Sequence, residues 1–102
     1  MTFGTQLAEA RKSLGLSQKD LASKITKDDG EAISPQYLND IEHDRRNPPS
    51  EDMINQFAKQ LKLPVEMLFY LAGKLPKDLK HPSVGQERVV AAYQAFRKAL
   101  KQ

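Results

Sequence analysis

The sequence predicts an all-α fold, with five short helices in one domain and a further helix appended at the C-terminal end. Apolar residues recur at helical spacing along most of the chain, and no segment shows a convincing strand pattern. Ser, Pro and Gly stand where helices begin and end. The 102 residues, 39% of them hydrophobic, suffice for one modest core. We expect a domain at residues 1–73, a linker at 74–83 and an amphipathic helix at 84–102.

A short turn separates the first two helices. Residues 5–14 form the first, and Gly15 is suited to the left-handed conformation that ends a helix. Ser17, with Asp20 three residues later, resembles a capping box and starts the second helix. The expected inner faces contain Leu7, Ala8, Ala10, Arg11 and Leu14 in the first helix, and Leu21, Ala22 and Ile25 in the second.

A polar, acidic segment at residues 26–32 precedes the third helix and includes the turn signal Asp28-Asp29-Gly30. The third helix begins at Ser34-Pro35, with Ser as N-cap and Pro at the first helical position. Its inward stripe includes Tyr37, Leu38 and Ile41, and Asn47-Pro48-Pro49 ends it.

Three more helices follow at similar spacing. Ser50 caps the fourth, Pro64 lies in the first turn of the fifth, and Gly73 ends the fifth. Their apolar positions are Met53, Ile54, Phe57, Ala58 and Leu61 in the fourth, Val65, Leu68, Phe69 and Leu71 in the fifth, and Val89, Tyr93, Phe96 and Leu100 in the last.

Composition excludes several classes of protein. The chain has no cysteine and no apolar run long enough to span a membrane, so we expect a cytoplasmic protein. His43 and His81 lack partners at metal-ligand spacing. With no catalytic constellation in view, we expect neither an enzyme nor a metal or other cofactor. The net charge is +3, yet residues 28–60 carry three basic and eight acidic side chains, which disfavours indiscriminate binding to a nucleic-acid backbone.

An ordered set of residues spans about two thirds of the chain: Arg11, Leu16-Ser17-Gln18, Leu21-Ala22, Ser34, Leu38, Ile41-Glu42, Arg46-Asn47-Pro48, Leu63-Pro64 and Leu68-Phe69. This set resembles the phage-repressor helix-turn-helix family (Cro/lambda repressor-like, XRE-type). The resemblance implies a five-helix domain whose third helix enters the DNA major groove. It further implies a sequence-specific, double-stranded DNA-binding transcriptional regulator, expected to act as a dimeric repressor.

The resemblance also assigns roles to residues. Gln18 and its neighbour Lys19, together with Arg45, Arg46 and Asn47, match positions that contact phosphate. Arg11 and Glu42 match a structural ion pair between the first and third helices. Side-chain chemistry agrees for base reading, since Gln and Asn can pair with adenine and Asp can accept a hydrogen bond from cytosine N4. The base-reading positions are Pro35, Gln36, Tyr37, Asn39 and Asp40.

Two features depart from the family pattern. Residues 26–32 lengthen the turn between the second and third helices, which puts the relative placement of those helices in question. Asp44 stands where the family usually has glycine, and Asp tolerates a positive φ better than most residues.

Plainer interpretations stay open for several residues. Arg11 and Glu42 are either a buried pair or a surface pair of little value. Tyr37 is either core or a contact with DNA, and Asn39 and Asp40 are either base contacts or solvated surface. The remaining polar candidates are solubilising charge or phosphate contacts: His43, Lys74, Lys77 and Lys80.

The last helix has two interpretations of its own. Its stripe is too short for an isolated coiled coil, so it docks on the first and fifth helices or helps to form a homodimer, and both hold if it crosses to a partner subunit. An alternative function is a protein-interaction module, such as an antitoxin whose last helix neutralises a toxin.

Overall fold

The computed structural model describes residues 1–46, 49–80 and 83–101. Within these residues the fold has six α-helices, one short 3-10 helix and no β-strand, which confirms the all-α prediction. The helices are α1 (Phe3–Ser13), α2 (Gln18–Ala22), α3 (Pro35–Glu42), α4 (Glu51–Leu61), α5 (Val65–Ala72) and α6 (Gln86–Leu100), with the 3-10 helix at Lys77–Leu79.

Hydroxyl side chains cap the first four helices. Ser17, Ser34 and Ser50 each accept a hydrogen bond from the backbone N–H three residues on, as the sequence predicts. Thr2 does the same for α1, which therefore begins two residues earlier than expected. Asp20 completes the capping box of α2. Hydrogen bonds from the backbone N–H and the hydroxyl of Ser17 lower the pKa of the Asp20 carboxyl.

One apolar core holds α1 to α5 together. Helix α1 packs on α3, α4 and α5, while α2 packs on α3. The core contains most of the predicted inner residues of these helices, with Phe57 and Leu7 completely buried. Partly buried residues that pack against it include Ala10, Tyr37, Val65 and Leu71. Two predicted residues lie outside the core: Ala8 is half-buried, and Leu14 is exposed because α1 ends at Ser13. The fully buried large side chains are Leu7, Leu21, Ile25, Leu38, Ile54, Phe57 and Leu68.

The inserted segment between α2 and α3 forms a small hairpin. Its two sides are joined by hydrogen bonds from Ile33 N–H to Ile25 carbonyl (2.9 Å) and from Lys27 N–H to Glu31 carbonyl (2.8 Å). Ile25 and Ile33 at its base belong to the core. The insertion therefore extends the turn outward and leaves α2 packed on α3.

Gln56 of α4 attaches this hairpin to the rest of the domain. Its Oε1 accepts from Thr26 N–H at 2.8 Å, and its Nε2 donates to the Thr26 carbonyl at 2.9 Å. The side-chain amide thus pairs with Thr26 as a neighbouring strand would. Since the hairpin leads directly into α3, this pairing helps to set where α3 begins.

The exit from α3 is fixed against the start of α1. Asp44 adopts a left-handed conformation with φ of 58°, which agrees with its replacement of glycine. Its carboxylate accepts hydrogen bonds from Gly4 N–H at 3.0 Å and from the Thr2 hydroxyl. A Cβ at Gly4 would clash with the backbone carbonyl groups of Ile41 and Glu42, so α1 approaches the end of α3 as closely as only glycine allows.

Helix α6 lies outside this core. Every residue that the structure describes in α6 is exposed, and the stripe of Val89, Tyr93, Phe96 and Leu100 is between 42% and 57% exposed. The ring centres of Phe96 and of Tyr70 in α5 lie 6.3 Å apart. The domain therefore leaves most of the stripe uncovered. None of the described helices combines the length and the apolar character that crossing a membrane requires.

Candidate nucleic-acid interface

A buried ion pair fastens α3 to α1. Arg11 Nε donates to Glu42 Oε2 at 2.7 Å, and Arg11 Nη2 donates to Glu42 Oε1 at 3.0 Å. The two side chains are only 10% and 3% exposed, so this is the pair expected from the sequence in its buried form. A two-point contact between guanidinium and carboxylate fixes both position and direction. The pair therefore holds the last turn of α3 in a defined orientation.

Gln18 at the start of α2 extends this network. Its Nε2 donates to Glu42 Oε1 at 2.9 Å and to Asn39 Oδ1 at 3.0 Å. Arg11 Nη1 also donates to the Leu16 carbonyl at 2.9 Å, so one network joins α1, α2 and α3. Gln18, a predicted phosphate contact, has both amide hydrogens engaged within the protein. Its side chain therefore positions α3 in this arrangement.

The predicted base-reading residues share the outer side of α3. Pro35 and Gln36 are exposed in its first turn, while Tyr37, Asn39 and Asp40 are half-buried. Asn39 Oδ1 accepts from Gln18, and the Nδ2 amino group of Asn39 can act as a donor beside that contact. Leu38, Ile41 and Glu42 occupy the opposite, buried side. The helix thus separates anchoring residues from a polar face that a duplex can reach.

Two arginines border this polar face. Arg45 Nη1 lies 3.7 Å from Asp40 Oδ1, and Arg46 Nε lies 3.7 Å from Asp40 Oδ2. The guanidinium carbon of Arg46 lies 4.5 Å from the centre of the Tyr37 ring. Tyr37 therefore packs partly against the core and partly under the guanidinium group of Arg46, and its contact with DNA stays a prediction.

The remaining predicted contacts are less closely gathered. Lys19 is exposed in the first turn of α2. His43 is exposed, and its Nδ1 is 2.8 Å from the Asn39 carbonyl oxygen. Asn47 lies outside the described residues, as does His81. Among the residues that the structure does describe, no three metal-ligating side chains gather at one point.

The sequence alone does not predict the contacts of two residues that position the helices. Asp44 caps α1 from 40 residues away, and Gln56 holds Thr26 from 30 residues away. Only the substitution of Asp for glycine hints at the first. For Gln56, a polar residue on a half-buried helix position gives no partner, so no local signal identifies it.

The buried network predicts a strong energetic coupling. We expect Glu42→Leu and Arg11→Met each to cost about 3–5 kcal/mol of unfolding free energy, since each leaves a buried group unpaired. The double variant should cost much less than the two single costs together. Urea unfolding followed by circular dichroism measures all three, with exposed Arg45→Ala as the control. Additive costs below about 1 kcal/mol each would indicate a surface pair instead.

A solved structure and a family model resemble this chain, whereas the curated proteins do not. None of the curated proteins matches the chain. Among solved structures, a chain of the SinR protein/SinI protein complex superposes with a TM-score of 0.55 and 24% identity, covering 96% of this chain and 99% of that chain. That likeness shows a shared fold. A family model described as a helix-turn-helix domain matches residues 4–74, more than half of the chain. The chain therefore belongs to the helix-turn-helix domain family.

Proposed function

We propose that the protein is a sequence-specific, double-stranded DNA-binding transcriptional regulator of the Cro/lambda repressor-like (XRE-type) branch. The observation that carries the proposal is the division of α3. Its inner side is fixed by the Arg11–Glu42 pair, while its outer side carries the amide side chains of Gln36 and Asn39, with two arginines beside Asp40. A rigid helix with this arrangement suits the major groove, where amides read base edges and cations contact phosphate.

Base reading is assigned to five positions of α3. Gln36 and Asn39 are one turn apart and suit adenine, which offers both a donor and an acceptor in the major groove. Asp40 suits the amino group of cytosine. Pro35 and Tyr37 supply apolar surface for a thymine methyl group, and Tyr37 also offers a hydroxyl for phosphate.

Phosphate contacts are assigned to the ends of α2 and α3. Arg45 and Arg46 follow α3, and Lys19 lies in the first turn of α2. Asn47 and the backbone at Gln18 are further candidates in this role. Since residues 28–60 are net acidic, these few cations must supply most of the attraction to the duplex. We infer no catalytic activity, no cofactor and a cytoplasmic location, where such a regulator meets its operator.

We further propose that the protein acts as a homodimeric repressor that blocks transcription by occupying an operator. One domain reads few base pairs, and a two-fold dimer reads two half-sites about 34 Å apart. The exposed stripe of α6 offers apolar surface for such pairing, because this chain leaves it uncovered. Repression follows from the family resemblance.

A second candidate function uses the same stripe differently. An interaction module, such as the antitoxin of a toxin–antitoxin pair, would bind a different protein through α6. Two observations favour it: the stripe is exposed, and the structural neighbour was solved in a complex of two proteins, SinR and SinI. A heterologous partner and a second copy of the chain would compete for this surface.

Selection of bound duplexes from a random pool tests whether the protein binds DNA with sequence preference. Two variants then distinguish phosphate contact from base reading. Arg46→Ala should weaken binding to both selected and random duplexes and reduce the salt slope on the selected duplex by about one, because it removes a phosphate contact. Gln36→Leu should cost about 1–3 kcal/mol on the selected duplex and relax the preference at one base pair. Fluorescence anisotropy at several salt concentrations measures both effects.

Lys59→Ala is the control for Arg46→Ala, since it removes a cation from α4, which packs on α1 and α5. The control should leave the salt slope nearly unchanged. If Gln36→Leu weakens binding to selected and random duplexes by the same factor, the base-reading assignment is wrong. If the wild-type chain enriches no duplex, DNA binding itself is contradicted.

The stripe of α6 yields a separate prediction on assembly. Light scattering of the wild-type chain should give twice the 11.5 kDa mass of one chain. Tyr93→Glu should halve that mass, because it places a carboxylate within the stripe. Ala91→Glu adds the same charge on the opposite side of α6 and should keep the dimer. A wild-type monomer that forms a stoichiometric complex with another protein would favour the interaction module.

A further inference from the structure

Among the residues that the structure describes, the carboxylate of Asp40 has three side-chain partners, all of which belong to the candidate DNA surface. Gln36 Nε2 donates to Asp40 Oδ1 at 3.1 Å, and the guanidinium groups of Arg45 and Arg46 each lie 3.7 Å from one of its oxygens. The Asp40 side chain is 22% exposed, whereas the two arginines are 61% and 51% exposed. The acidic group is thus held in place on α3, and the cations are free to exchange partners.

This arrangement sets the electrostatic balance of the free protein. Arg45 and Arg46 are two of only three basic residues between positions 28 and 60, where eight residues are acidic. A phosphate that approaches these arginines must compete with Asp40 for them. Releasing them leaves a partly enclosed carboxylate without its cations, which opposes binding unless Asp40 finds another donor.

We propose that Asp40 couples phosphate binding by Arg45 and Arg46 to the identity of one base pair. This inference rests on the proposed function and deepens it. A cytosine or adenine amino group in the major groove can donate to Asp40 and so replace the departing arginines. A guanine or thymine edge presents acceptors, which repel the carboxylate. The arginines therefore transfer to phosphate readily only where an amino group faces Asp40, and other sequences are bound weakly.

Asp40→Asn tests the coupling, because asparagine keeps the shape and one acceptor oxygen but not the charge that holds the arginines. We expect affinity for a random 20-base-pair duplex to rise about threefold to tenfold, as the loss of two exposed ion pairs allows. Affinity for the selected duplex should rise by a smaller factor, because the neutral amide accepts a weaker hydrogen bond from the base amino group than the carboxylate does. The ratio of selected to random affinity should therefore fall.

Two controls separate this coupling from a general gain of positive charge. Glu66→Gln removes one negative charge from α5, which packs on α1 and α4, and should leave the ratio unchanged. In a chain that also carries Arg45→Ala and Arg46→Ala, Asp40→Asn should no longer increase binding to the random duplex at low salt. Thermal melts establish that each variant is folded, and Asp40→Ser replaces Asp40→Asn if the latter is unfolded.

Several results would overturn the inference. These are an unchanged random-duplex affinity in Asp40→Asn, an equal gain in Glu66→Gln, or a gain that persists without the two arginines. Each leaves the proposed function intact provided that the wild-type chain still distinguishes the selected duplex. A wild-type chain that binds no duplex would instead contradict the proposed function, and this inference with it.

Discussion

The buried contact between Arg11 and Glu42 is the constraint on which the rest of the structure depends. Burying two opposite charges costs solvation free energy, which is offset only when the geometry is good and the remaining donors are satisfied. Here Arg11 also reaches the Leu16 carbonyl, and Gln18 completes the coordination of Glu42. Because these partners come from α1, α2 and α3, the pair is well satisfied only when all three helices occupy their native positions. An ion pair of this kind specifies an arrangement in addition to any stability that it supplies.

Further contacts then fix the two ends of α3. The hairpin before the helix is held to α4 by Gln56, and Asp44 after it caps the start of α1. Leu38 and Ile41 anchor the middle of the helix in the core. With its ends and inner side fixed, α3 keeps its outer side polar and half-exposed. Rigid support of this kind is what a binding surface needs if its side chains are to meet a ligand without reorganisation.

Local sequence signals predict much of the fold. Ser17, Ser34 and Ser50 start their helices because a hydroxyl three residues before a free N–H satisfies it within one turn. The family resemblance predicts the Arg11–Glu42 pair, and the structure shows that both side chains are buried. Contacts between residues distant in the chain could not be predicted in this way. Gln56 and Asp44 act on partners 30 and 40 residues away, so their roles depend on packing that no local pattern encodes. For the same reason the sequence does not predict that the Gln18 amide contacts Asn39 and Glu42 of α3.

We propose that α3, held in place by the rest of the domain, presents its outer face to a DNA duplex. Titration of the isotope-labelled chain with the selected duplex, followed by two-dimensional NMR of backbone and side-chain amides, tests this most directly. We expect the largest shifts at Gln36, Asn39 and the first turn of α2, while the amide signals of buried residues in α4 should not shift. Shifts confined to α6, with α3 unchanged, would contradict it.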